Sequence, residues 1–248
     1  MKISIITVSF NSAATIYDTL NSVISQDYTF IEHIIIDGGS KDNTLKIVKM
    51  FPHVAKVISE KDHGLYDAMN KGIKMATGDV IGILNSDDVY MHSTVLSKVA
   101  EKFTDKNINA TYGDLQYVKG VNLDEVVRTW KAGHFAPNAF YYGWMPPHPT
   151  FFVRKEIYDR VGLFNTFLNN SSDYELMLRI LFKNRVNAVY IPEILVKMRV
   201  GGLSTSSFRQ RLIANKEDKI AWKINYIKPY FFTLYLKPLR KVFQFLRK

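Results

Sequence analysis

Two periodicities alternate along the first hundred residues. "KISIITV" (2–8) is β-branched and apolar on both faces, as a strand covered on both sides of a parallel sheet should be. "SAATIYDTLNSVISQ" (12–26) then sets Ile16, Leu20, Val23 and Ile24 on one helical stripe, as an amphipathic helix requires. The exchange continues with strands "IEHIIID" (31–37), "AKVIS" (55–59) and "DVIGIL" (79–84). Between and after them lie helices "DNTLKIVKMF" (42–51), with Asp42 as its expected N-cap, "LYDAMNKGIKMA" (65–76) and "STVLSKVAEKF" (93–103). Strands and helices alternating at these lengths predict right-handed βαβ crossovers, hence an α/β fold with a mostly parallel central sheet flanked by helices. Ligands of such sheets bind outside the carboxyl ends of the strands. Asp37 falls at the end of the second strand, and Asp87–Asp88 follow the fourth.

The pattern changes from about residue 110. "ATYGDLQYV" and "VVRTWKA" read as an antiparallel hairpin, followed by the Pro-rich "WMPPHPTFFV" (144–153). Helices "RKEIYDRVG" and "SDYELMLRILF" (172–182) lead to a strand, "NAVYIPE". No Gly-, Ser- or Pro-rich spacer separates the halves, so one domain is expected over 1–205, with halves 1–105 and 106–205. An extension, 206–248, follows.

Composition narrows the classes. With 47% hydrophobic and 13% aromatic residues the chain can bury a sizeable core, which excludes disorder. There is no cysteine, so disulfides and thiolate metal sites are excluded. The six histidines contain no i, i+4 pair, which argues against a zinc-hydrolase site. "MKISIITVSF" is too short and too polar for a secretory signal and reads as a buried strand. The net charge of +10 is uneven: residues 222–248 hold seven bases and no acid. That distribution points to a partner for the tail rather than a nucleic-acid-binding body.

In "IGILNSDDVY" (81–90) a buried strand runs into two adjacent acids. Such a pair suits a hard divalent cation, which takes oxygen ligands and offsets phosphate charge. The plain alternative is a helix N-terminus, whose dipole favours acids. Asp37, followed by Gly38–Gly39, stands where a carboxylate can accept the N3–H of a uracil-like base, or merely organise an Asx-turn.

Four ordered segments carry a family resemblance: "ISIITVSFNSAATIYDTLNSVISQDY", "IIIDGGSKDNT", "DHGLYDAMNKGIKMATGDVIGILNSDD" and "SSDYELMLRI". Over about residues 1–205 the chain resembles the inverting glycosyltransferases of family 2, of GT-A type. The resemblance implies a nucleotide-sugar-binding half at 1–105 and an acceptor half at 106–205. Asp37 would bind the base, with Thr7 and Ser9 lining its pocket, and Asp62 and Asn70 would lie near the donor. Asp87 and Asp88 would hold Mn²⁺ or Mg²⁺ and, through it, the diphosphate. The family's Asp-x-Asp reads Asn85-Ser86-Asp87 here, so its first acid is missing. Inversion by direct displacement needs a base for the acceptor hydroxyl, and the resemblance assigns that role to Asp173. Trp144 and His148 are acceptor-side candidates, and "KMRVGGLSTSSFRQR" (197–211) resembles a loop that closes over the donor.

The tail, "WKINYIKPYFFTLYLKPLRKVFQFLRK", has no uncharged run near the ~20 residues needed to span a bilayer. Bases interleaved with aromatics suit an anionic membrane surface. The expectation is therefore an enzyme that transfers sugar from a nucleotide-diphosphate donor, a UDP-sugar, to a glycan hydroxyl. A lipid-linked oligosaccharide is the expected acceptor, the inner face of the cell membrane the expected place, and no nucleic-acid partner is expected. A nucleotidyltransferase would share the sheet and cation, but "TVSFNSAAT" lacks that class's basic glycine-rich loop. A non-catalytic membrane adaptor would keep the tail without needing Asp173.

Overall fold

The computed structural model describes residues 1–120, 122–201 and 208–243. Its nine strands form one sheet. β1 (Ile3–Ser9), β2 (Ile31–Asp37), β3 (Val54–Ser59) and β4 (Val80–Ile83) run parallel, in the spatial order β3-β2-β1-β4. β8 (Phe152–Arg154) then pairs antiparallel with β4, and β6 (Ala110–Lys119) antiparallel with β8. β9 (Ala188–Arg199) lies parallel to β6, and β5 (Asp88–Tyr90) closes the edge against β9. β7 (Asn122–Trp130) forms the expected hairpin with β6. The halves of the chain therefore share a single sheet.

Every residue of β1 is buried, as its two-faced apolar pattern demands. β3, at the sheet edge, instead alternates partly buried with exposed positions. α1 (Ile16–Ile24) and α2 (Thr44–Val48) cover one face through Ile16, Leu20, Ile35 and Val48. α2 begins two residues later than expected. Asp42 instead accepts the N–H groups of Thr44 and Ala13 at 3.0 Å each, tying that turn to the loop before α1. α3 (Leu65–Met75) crosses the other face unusually closely, because a Cβ at Gly72 would lie 2.4 Å from Ile6 Cγ2. α4 (Val95–Lys102), α5 (Lys155–Val161) and α6 (Ser172–Met177) complete the layers, α6 continuing as a π-helical turn over Leu178–Lys183.

The extension is not a detached tail. It folds as α7 (Phe208–Ile224) and α8 (Thr233–Phe243). Trp222, expected among surface aromatics, is fully buried and donates its Nε1–H to Tyr174 Oη at 2.9 Å. Lys237, expected among free bases, is paired with Asp218 at 2.7 Å. Residues 202–207 of the expected closing loop and the basic end, 244–248, lie outside the described residues.

One buried acid on β2 carries a pH prediction. Glu32 accepts from Ser4 Oγ (2.6 Å) and from Thr77 N and Oγ1 (2.8 Å each), and pairs with Lys56 at 3.1 Å. Burial opposes its ionisation, yet these hydrogen bonds outweigh burial and hold its pKa at about 2. The folded value lies below the unfolded one, so this stabilisation is present above about pH 4.5 and is lost as pH falls towards 2. Linkage puts it at about 2–3 kcal/mol. Glu32→Gln should lose that stability at pH 7 and show a flatter acid limb, measured by urea unfolding at pH 7 and pH 3.

Candidate active site

The carboxyl ends of β1, β2 and β3 bring Ser9, Asp37 and Ser59 into one row, since Ser9 pairs with Asp37 and Asp37 with Ser59. The Asp37 carboxylate is fully buried. One oxygen accepts from Ser9 Oγ (3.1 Å) and Ser40 Oγ; the other accepts from Ser59 Oγ (2.7 Å), Ser40 N (2.9 Å) and Gly39 N (3.1 Å). Although burial opposes ionisation, these donors lower its pKa. As placed, Asp37 organises the loop at the carboxyl edge of the sheet, with both of its oxygens already accepting hydrogen bonds. Thr7 does not line a pocket. It is two residues inside β1, fully buried, with its Oγ1 3.0 Å from His33 Nε2.

Asp62 lies beside this row, where a Cβ at Gly38 would come within 3.3 Å of its Oδ2. Its other oxygen pairs with Lys71 at 2.6 Å, and Lys71 also holds Glu60 at 2.7 Å. Asn70 has a different task from the expected donor contact. Its Nδ2 donates to Phe164 O and its Oδ1 accepts from Phe164 N, both at 2.9 Å. That amide is spent on pinning the loop before α6 to α3.

Past β4, Ser86 is anchored by Ser12 and Thr15, so the turn carrying the acids is rigidly seated. Asp88 is fully buried. Its Oδ2 has one partner, Asn85 Nδ2 at 3.2 Å, while its Oδ1 and Asn85 Oδ1 have none. Burial and the adjacent Asp87 push the Asp88 carboxyl well above the usual carboxylate range. Burial also raises Asp87, with Arg199 opposing. Arg199, itself buried, donates to Asp87 O (2.7 Å) and Gly120 O (2.7 Å) and pairs with Asp18, locking the turn to β9 and α1. Orphaned buried oxygens beside a second acid are what a hard divalent cation would satisfy. Among the described residues no group of three or more His, Cys, Asp or Glu side chains is placed to hold a metal ion.

Asp173 stands in the first turn of α6, partly exposed, and accepts from Tyr66 Oη at 3.3 Å. Tyr66 stacks on Phe164 at 5.4 Å, and His148 meets the same ring edge-on at 5.6 Å. Burial lowers the His148 pKa, and the nearby Asp173 opposes that shift. His148 is thus at the site, whereas Trp144 is not. Trp144 is buried against Phe135 with its Nε1–H on Ala132 O at 2.7 Å, so it has no face for a sugar.

Burial raises the pKa of Tyr117, the Arg128 guanidinium 3.6 Å from its ring centre opposes this, and the charges of Asp88 and Asp173 raise it further. Sequence reading missed Tyr66, Tyr117 and Arg128, which no charge pattern marks as site residues.

It also missed Glu217. From α7 this buried carboxylate accepts the N–H groups of Asn169 (3.2 Å), Asn170 (2.7 Å) and Ser171 (2.9 Å), fixing the approach to α6 two residues before Asp173. Trp222 on Tyr174, and Asn225 on Glu175 at 2.8 Å, secure the same helix. Glu217→Ala should lower kcat about tenfold to a hundredfold, since small misplacements of reacting groups are costly. Steady-state transfer should show the donor KM nearly unchanged, with Trp222 keeping α7 seated.

A mixed sheet with helices on its faces, and paired acids after one of its parallel strands, is the architecture of a GT-A-type glycosyltransferase. Residues 4–167 match the glycosyl transferase family 2 pattern, and the chain belongs to that family. It is 32% identical over 183 residues to an uncharacterized glycosyltransferase of Mycobacterium tuberculosis, covering 71% of this chain and 68% of that protein. It is 27% identical over 209 residues to a PGL/p-HBAD biosynthesis glycosyltransferase of Mycobacterium bovis, covering 82% and 79%. Among solved structures, S. aureus TarS residues 1–349 in complex with UDP-GlcNAc share the fold with a TM-score of 0.70 at 17% identity, covering 91% of this chain and 65% of that one. A mannosyltransferase from Pyrobaculum calidifontis, solved with GDP-Man and Mn²⁺, does so with a TM-score of 0.65 at 17% identity, covering 97% and 73%. The chain thus spans just under two thirds of the TarS fragment in that complex.

Proposed function

We propose that this glycosyltransferase uses a nucleotide-diphosphate donor, a UDP-sugar, and inverts the anomeric carbon as it passes the sugar to a glycan hydroxyl. The observation that carries this reading is Asp88, fully buried beside Asp87 at the end of the parallel strands with one carboxylate oxygen unpartnered. One end of the site offers under-coordinated carboxylate oxygens, and the other a carboxylate within reach of solvent. The UDP and UDP-GlcNAc complexes of TarS support a UDP-sugar, and the Mn²⁺ of the mannosyltransferase supports a divalent cation.

Asp87 and Asp88 would hold Mn²⁺ or Mg²⁺, which supplies Lewis-acid compensation of the charge that builds on the departing diphosphate. The loop at Ser9, Asp37 and Gly38–Gly39 receives the nucleoside, with Asp62 at its margin. Asp173 takes the acceptor hydroxyl's proton as that oxygen attacks the anomeric carbon from the face opposite the leaving group. Tyr66 orients Asp173 through its hydrogen bond, and His148 borders the acceptor side. The acceptor is a lipid-linked oligosaccharide at the inner face of the cell membrane. The biosynthetic role named for the M. bovis relative is compatible with such a surface glycan. No helix among the described residues is long and apolar enough to cross a membrane, so association would be peripheral.

Thermal unfolding with a panel of UDP-, GDP- and dTDP-sugars, each with and without Mn²⁺, tests the donor. Cation-dependent stabilisation by UDP-sugars is the expected result. Stabilisation by GDP-sugars alone would overturn the assignment of the base.

A further inference from the structure

α7 has two chemically opposite faces. Its inner face carries Glu217, Asp218, Ala221, Trp222 and Asn225, all buried against the body. Its outer face presents Ile213, Ile220 and Ile224, which fall on one stripe at 100° per residue, interleaved with the exposed Lys216, Lys219 and Lys223. The surface continues into the turn between α7 and α8. Tyr226 is 93% exposed and Phe231 is 89% exposed. Lys228 stands between them, and Tyr235, Leu239 and Arg240 extend the same character along α8. A cavity of about 430 Å³ opens here, floored by Ile220, Ile227 and Pro229 and ringed by Lys219, Lys223 and Lys228.

Charge decides what covers this surface. The only acids between residues 213 and 240 are Glu217 and Asp218, and both are buried. Glu217 holds the Asn169–Ser171 backbone and Asp218 pairs with Lys237, so neither offsets the outward bases. Among the described residues, the five exposed bases Lys216, Lys219, Lys223, Lys228 and Arg240 therefore stand among exposed apolar side chains without an ion pair to a carboxylate. A second copy docking through the same face would set these bases against each other. An anionic lipid surface suits both parts: bases meet phosphate head groups, and aromatic and aliphatic groups enter the interface.

We infer that the outer face of α7, its turn to α8 and the exposed side of α8 form a docking surface for anionic phospholipid. The inference deepens the peripheral placement proposed above and names its residues. At 100° per residue Lys216, Lys219 and Lys223 project away from the buried side of α7, while Ile213, Ile220 and Ile224 border it next to Glu217.

The test is flotation of the full chain with vesicles of phosphatidylcholine alone or with about one-third phosphatidylglycerol, at low and high salt. Binding to the anionic vesicles only, weakening as salt screens the bases, is expected. Lys219→Glu/Lys223→Glu/Lys228→Glu should weaken it on the order of a hundredfold. Phe231→Ser should weaken it even at low salt. All these side chains are exposed, so far-UV circular dichroism and nucleotide-sugar stabilisation should remain as in the parent chain. Equal binding to neutral vesicles, wild-type binding by the triple variant, or concentration-dependent dimerisation through this face without vesicle binding would each overturn the inference. Because the donor readout is separate, lost vesicle binding with intact donor stabilisation is distinguishable from failure of the glycosyltransferase reading.

Discussion

Asp173→Asn is expected to lower sugar transfer about a thousandfold, the loss that removal of a positioned general base produces. The substitution keeps the shape, and an amide oxygen still accepts from Tyr66, whose hydroxyl lies 3.3 Å from Asp173 Oδ1. What disappears is the capacity to take a proton. The effect should therefore fall on kcat, with the donor KM close to that of the parent chain, because the role proposed for Asp173 is toward the acceptor hydroxyl. Tyr66→Phe, which removes only the orienting hydroxyl, should cost far less. Initial rates of nucleotide diphosphate release in the presence of acceptor separate these outcomes. Unchanged transfer by Asp173→Asn would remove the proposed mechanism.

The second large effect concerns the cation. Asp88 is enclosed with one oxygen unpartnered, next to another acid, and its environment disfavours a bare negative charge. In the parent chain, Mn²⁺ together with a well-binding UDP-sugar at about a hundred times its Kd should raise Tm by about 5–10 °C. Asp88→Asn should lose the cation-dependent part of that rise. The apo variant should not be less stable than the parent, since removing the buried one of two adjacent acids relieves their repulsion. Differential scanning fluorimetry with and without Mn²⁺ reads both effects. A variant that keeps the whole cation-dependent shift would exclude Asp88 as a ligand.

Much of this architecture was legible because burial leaves a periodic mark. β1 and β2 are buried along nearly their whole length, so their apolar runs announced them, and the first four helices appeared as stripes. β5 and β8 were not legible. Each is three residues long, too short for a periodicity, and exists because β9 and β4 offer an edge to pair with. The extension misled for a related reason. Trp222 and Lys237 look like surface residues when counted by composition, but the first fills the core beside Tyr174 and the second neutralises Asp218.

The site was legible as far as carboxylates mark strand ends. Asp87 and Asp88 were marked by two adjacent acids at the end of an apolar run, whereas Asp173 was assigned only from the family resemblance. Asn70 and Thr7 could not be placed, because a short polar side chain near a sheet edge serves packing as readily as a ligand. In Asn70 the amide matches the two hydrogen-bonding groups of the Phe164 backbone, and in Thr7 the hydroxyl meets His33. Glu217 was invisible for the opposite reason. Its role depends on a contact across 46 to 48 positions of sequence, which no local pattern records.

A crystal structure with Mn²⁺ and UDP tests the whole arrangement most directly. The expected result is an anomalous peak at about 2.0–2.3 Å from a carboxylate oxygen of Asp87 or Asp88. The diphosphate should touch that ion, the uracil should rest at the Asp37 loop, and Asp173 should face the open side. An ion bound elsewhere, or UDP seated away from those carboxylates, would contradict it.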